Sequence, residues 1–142
     1  MTWKYSKKNI AFAAFIAVLF FMGILNASGP LGLPDKYKSI LDKKWVFTKL
    51  IYQGKDATDM YIKNKLKGLI PYYIFKSNGA VETNEPGVKE SSWKYEKGFF
   101  DLKTIGTDGS QSTTHYTIGL VKGDKLQLDL KPAKMSSIYT AK

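Results

Sequence analysis

Cysteine and arginine are both missing from this chain of 142 residues, and histidine occurs once, at His115. Without cysteine there is no disulfide framework, no thiolate metal site and no thiol to carry a lipid. Without arginine the chain lacks the planar fork that pairs bidentately with phosphates and guanine edges, which argues against a sequence-specific nucleic-acid reader. Nucleic acid is therefore not an expected partner. A single histidine among scattered carboxylates falls short of a metal centre, so no metal and no other cofactor is expected. The glycines stand at turns rather than in a phosphate cradle. Ser110, Ser112 and Asp108 lie near His115 in sequence, yet nothing resembles a nucleophile elbow. Asp56 with Asp59, and Glu82 with Glu85, are carboxylate pairs whose expected work is solvation or turn making. No catalytic residue emerges, and the chain is read as not an enzyme.

What is present is lysine. All 22 basic residues are lysines, against 12 acids, for a net charge of +10. Only Lys4, Lys7 and Lys8 precede Asp35, which leaves 19 lysines and all 12 acids beyond it. Their mixing along the chain is that of a solvated surface, and the same excess suits attraction to an anionic membrane or an acidic partner.

From Asn9 to Pro34 there is no charge. Ile10 to Leu25 are apolar or glycine, which as a helix spans roughly 24 Å. With the weakly polar residues on either side, the segment reaches the ~20 residues that a ~30 Å hydrocarbon core requires. Ile10, Phe12, Phe15, Phe20, Phe21 and Leu25 lie all round such a helix and leave no polar face, which fits a membrane anchor facing lipid. The lysines before it keep the N-terminus in the cytoplasm, so the remainder is exported. A cleaved signal peptide, cut after Ala27 or Gly29, is the alternative and exports it equally. The expected organisation is a basic cytoplasmic tail over 1–8, a transmembrane helix or signal segment over 9–29, a linker over 30–34 and a folded domain over 35–142. The bilayer is then a partner. The expected location is a bacterial inner membrane with the domain in the periplasm, or secretion if the segment is cleaved.

Beyond the linker, a short helical stretch over 35–43 precedes runs rich in β-formers, each ended by turn chemistry. The runs are 44–53, 71–76, 80–84, 88–95, 99–105, 111–121, 125–131 and 135–141, with a helical excursion over 54–68. Asn78-Gly79, Pro86-Gly87, Lys97-Gly98, Asp108-Gly109 and Gly123-Asp124 separate them. Tight turns join antiparallel neighbours, so the pattern predicts an all-β meander. Alternation sets its faces. Leu126, Leu128 and Leu130 point one way in KLQLDLK, and the same rule turns inward Trp93 and Tyr95, then Phe100, Leu102 and Thr104, then Tyr116, Ile118 and Leu120. His115 falls on the outer face. Eight such strands remove both sheet edges by closing into a barrel.

The aromatic-led first strand KKWVFTKLIYQGKD, the excursion after it, YYIFKSNG, SSWKYEKG and the final pair KLQLDL and SSIYTAK together resemble the small lipocalin-like domains of bacterial envelope proteins. The resemblance implies an eight-stranded antiparallel up-and-down barrel, often holding an apolar ligand. It also implies that Trp45 plugs the closed end, although Lys43 stands where that family usually has glycine. Tyr73, Phe75, Trp93, Tyr95, Phe100 and Tyr116 are the residues expected to line a pocket if the barrel has one; large as they are, they leave a shallow cup. Two functions follow as expectations. One is a non-catalytic accessory subunit, tethered to the membrane and docked on a larger membrane-protein complex. The other is a carrier or sensor of a small apolar molecule.

Overall fold

The computed structural model describes residues 32–142. A 3-10 turn over Asp35–Ile40 leads into β1 (Lys44–Tyr52), a two-residue β2 (Lys55–Asp56) and helix α1 (Thr58–Asn64). Then come β3 (Tyr72–Phe75), β4 (Val81–Thr83), β5 (Val88–Glu96), β6 (Phe99–Gly106), β7 (Gln111–Lys122), β8 (Lys125–Leu130) and β9 (Met135–Ala141). The expected anchor, with Ile10, Phe12, Phe15, Phe20, Phe21 and Leu25, lies outside the described residues. Among the described residues no helix is long and apolar enough to cross a membrane.

Local chemistry explains the reversals. Lys97 and Gly98 take φ of 53° and 83°, the left-handed pair whose twist matches the strands that a two-residue loop joins. Glu96 consequently faces Phe99 across the hairpin. Strand order is β4-β3-β1-β9-β8-β7-β6-β5, with β2 paired to β1 alone, and all of these pairings are antiparallel. The first and last strands pair from Trp45 opposite Ala141 to Tyr52 opposite Met135, so the ring closes where β1 meets β9. Its gap falls between β4 and β5. A single bridge, Ala80 opposite Ser92, and the Trp93 N–H donated to the Gly79 carbonyl at 2.8 Å hold that seam. β4 is only three residues long, and Pro86 after it has no N–H with which to extend a ladder. Eight antiparallel strands thus form a nearly closed barrel, and β2 is an addition within the excursion.

The interior divides into two halves. At the end where β1 begins, Trp45, Phe75, Phe100, Ile40 and Leu126 are fully buried. Phe100 packs edge-on to Phe75 with centroids 5.0 Å apart and stacks on Trp93 at 5.4 Å. The 3-10 turn closes this end, and the Trp45 indole N–H donates to the Ile40 carbonyl at 2.8 Å. Replacing Trp45 with phenylalanine keeps most of the apolar surface but strands that buried carbonyl. The expected loss is about 1–3 kcal/mol, read as a lower urea midpoint with an unchanged denaturant slope. A midpoint equal to wild type would mean that the bond does not hold the turn to the barrel.

One face assignment is corrected. Leu120, expected inside, is 44% exposed. Pairing passes from Ile118 opposite Leu128 to Leu120 opposite Gln127, so Gly119 is an extra residue in β7. A bulge shifts the alternation by one, and Val121 rather than Leu120 packs against the core. The same device at Thr48, between Phe47 and Lys49, keeps both Phe47 and Leu50 inside β1.

Candidate functional site

At the other end of the barrel the inward positions change character. Successive side chains of a strand point to opposite faces, so β9 turns Met135, Ser137 and Tyr139 inward, and β7 turns in Ser112, Thr114 and Tyr116. β6 adds Leu102 and Thr104, β1 adds Phe47, and β3 adds Tyr73. Together with Tyr61, Pro71 and Glu85 these surround a cavity of about 180 Å³. That is the volume of roughly six waters, and well under the ~300 Å³ at which drug-sized pockets begin.

Three of the lining residues, Tyr61, Pro71 and Glu85, come from outside the strands. Tyr61 is carried on α1, whose start is fixed by Asp56: the Thr58 amide and hydroxyl both donate to Asp56 Oδ1, at 3.0 and 2.6 Å. The Leu50 amide in turn donates to the Thr58 hydroxyl at 3.0 Å, which ties α1 to β1. Tyr61 then meets Phe47 with ring centroids 5.6 Å apart. Glu85 lies on the connection from β4 to β5, where its amide donates to Thr83 Oγ1 at 3.1 Å. Its Oε2 accepts the Tyr73 hydroxyl at 2.8 Å.

Aromatic rings run on from there. Tyr139 stands edge-on to Phe47 at 6.0 Å and to Tyr73 at 5.8 Å, and Tyr73 stacks on Phe75 at 6.1 Å. The wall of the cavity is therefore continuous with the packed core beneath it. Burial pushes the Tyr116 phenol up to about 12, and the charge of Glu85 adds to the shift. Burial likewise raises Tyr73, Tyr139 and Tyr61, with Glu85 again contributing to each. At neutral pH the four phenols are uncharged hydrogen-bonding groups. Among the described residues Glu85 is the one carboxylate in the lining, and no lysine is part of it.

The expected lining residues separate into two groups. Tyr73 and Tyr116 line the cavity. Phe75, Trp93 and Phe100 are 1%, 2% and 0% exposed in the packed half, and the half-buried Tyr95 rests on Tyr37 with centroids 6.1 Å apart. Trp45 is wholly buried at the closed end. Strand alternation in the sequence turns Leu102 and Thr104 inward, as observed. Carrying the same period from Tyr116 back to Thr114 and Ser112, and applying it to 135–141, also collects Ser137 and Tyr139. No periodic signal marks Tyr61 or Glu85, because both lie off the barrel strands.

On the outer face, His115 is exposed and its Nδ1 lies 2.6 Å from Asp101 Oδ1, its cross-strand partner. The Ser110 hydroxyl bonds to Asp108 instead, at 2.6 Å, so serine, histidine and aspartate do not converge. Among the described residues no group of three or more potential metal ligands is gathered. A scan against protein-family models and searches of curated proteins and of solved structures found no match to the chain.

Proposed function

We propose that this chain is an exported, non-catalytic barrel of the lipocalin-like kind that carries or senses a small polar molecule at its open end. The observation that supports this reading is the cavity of about 180 Å³, bounded by aromatic rings but furnished with hydroxyls from Thr104, Ser112, Thr114 and Ser137 and with the Glu85 carboxylate. An apolar ligand would leave those groups without partners, at about 1–3 kcal/mol for each one desolvated. The expected ligand therefore shifts from apolar to polar. Its size is bounded by the displaced waters, which admits compact metabolites and rejects fatty acyl chains.

The apolar run with its preceding lysines supports a tether to a bacterial inner membrane, with the barrel held in the periplasm. Docking on a membrane-protein complex draws on that same tether and on the lysine excess, but leaves a hydroxyl-lined cavity without a use.

A ligand-observed NMR screen tests the reading, using the full chain in an uncharged maltoside detergent and water-soluble fragments of about a dozen heavy atoms or fewer. Ser112 is exposed at the edge of the cavity, so Ser112→Trp should block entry without disturbing the core. Fragments that bind wild type and lose at least about tenfold in affinity to Ser112→Trp are the expected result. A screen with no binder sensitive to that substitution would remove the reading.

A further inference from the structure

The lining of the cavity carries a sign as well as a size. Of the 19 lysines among the described residues none borders this space, and the charged group in its described lining is the Glu85 carboxylate. Among the described residues no lysine or histidine forms an ion pair with Glu85; the same is true of Asp42, Asp59, Glu90, Asp108 and Asp124, but those five are exposed, whereas Glu85 is half-buried against the cavity. Tyr73 occupies Oε2 of Glu85. The other oxygen, Oε1, has no side-chain donor among the described residues. A half-buried carboxylate that borders a cavity with one oxygen free of side-chain donors can meet a positive charge brought in by a ligand.

The walls point the same way. Phe47, Tyr61, Tyr73, Tyr116 and Tyr139 bring five rings to a space of about 180 Å³. The faces of aromatic rings are electronegative, and those turned to the space attract a compact, weakly hydrated cation more than an anion or a neutral molecule of equal shape. An inorganic cation is not suited, since rings and hydroxyls would not replace its hydration shell. An organic ammonium is, because its methylene or methyl groups pack on the rings while its charge faces the carboxylate.

Building on the reading of the barrel as a small-molecule binder, we infer that its ligand is a small organic cation, an amine or methylated ammonium, held in the ring of Phe47 and the four tyrosines with Glu85 as counter-ion. Thr104, Thr114 and Ser137 then meet hydroxyl or amine hydrogens on the same molecule.

The probes are choline and its uncharged carbon isostere dimethylbutanol, which share a shape and differ in charge. Both are titrated into the full chain in maltoside detergent with methyl-labelled methionine. Met135 borders the cavity, while Met60 on α1 is 61% exposed and serves as the internal control. Choline should shift the Met135 methyl and leave Met60 in place, and dimethylbutanol should bind about tenfold or more weakly. Glu85→Gln, which retains an acceptor for Tyr73, should weaken choline by a similar factor while leaving the isostere unchanged. If the isostere binds as tightly as choline and Glu85→Gln changes neither, the cation is wrong and the small-molecule site stands. If neither probe moves Met135 and the fragment screen is also empty, both readings fall together.

Discussion

Phe100→Ala is expected to lower the free energy of unfolding by about 3–5 kcal/mol, a large share of the ~5–15 kcal/mol that holds a domain of this size. Phe100 has no exposed surface, and the rings of Phe75 and Trp93 lie on two sides of it at 5.0 and 5.4 Å. Removing it leaves a void at the junction where three strands and the closed end meet, and rigid neighbouring rings are poor at collapsing into such a space. The melting temperature should fall by more than about 10 °C. The preceding residue provides the control. Phe99 is 43% exposed on the opposite face of β6, so Phe99→Ala should change stability by no more than about 0.5 kcal/mol. Urea titrations of the two variants beside wild type check the alternation directly. Equal losses at positions 99 and 100 would mean that β6 does not present one face to the core.

That alternation is also why so much of the barrel is legible in the sequence. A period of two, broken by Asn78-Gly79 and Lys97-Gly98, predicts strands whose ends fall within a residue or two of the observed ones. Long-range closure follows from the meander, since β9 has to pair with β1 to cover both terminal edges. The exceptions have local causes. A bulge is invisible to a rule that counts in twos, so the single inserted residue Gly119 puts Leu120 on the face opposite to the expected one. The seam between β4 and β5 is equally hidden, because a three-residue strand followed by proline reads as a strand without revealing that its partner is missing.

The site is harder to read for a different reason. Large aromatics at inward positions look alike in sequence whether they pack against one another or border a space. Phe75, Trp93 and Phe100 do the first, whereas Tyr73 and Tyr116 do the second. What separates them is the depth of each along the barrel, which depends on register. Glu85 reads in sequence as a turn maker, which its Thr83 contact partly satisfies. Only the fold brings the same residue to the Tyr73 hydroxyl.

Alkaline pH should unfold this barrel steeply, and the cavity tyrosines are the reason. A phenol in the unfolded chain loses its proton near pH 10. In the folded barrel Tyr116 holds its proton to about 12, and burial holds those of Tyr73 and Tyr139 still more firmly. Between those limits the unfolded state binds fewer protons than the native state, so stability declines as pH rises. The contribution is fully present below about pH 10 and is lost progressively above it, at about 1.4 kcal/mol per pH unit for each such group. Three of them acting together remove ~4 kcal/mol per unit, enough to exhaust a typical domain's stability within a few units. Urea midpoints should accordingly be level from about pH 8 to 9 and fall sharply above 10. The cavity phenols should contribute tyrosinate absorbance only as the barrel opens. Tyr116→Phe should flatten the decline by about a quarter to a third between pH 10 and 12, because it removes one of the phenolic protons that the native state retains. A protein whose tyrosines all titrate near pH 10 with its far-ultraviolet circular dichroism unchanged would have its phenols in water, and the cavity lined by Tyr73, Tyr116 and Tyr139 would not exist in solution.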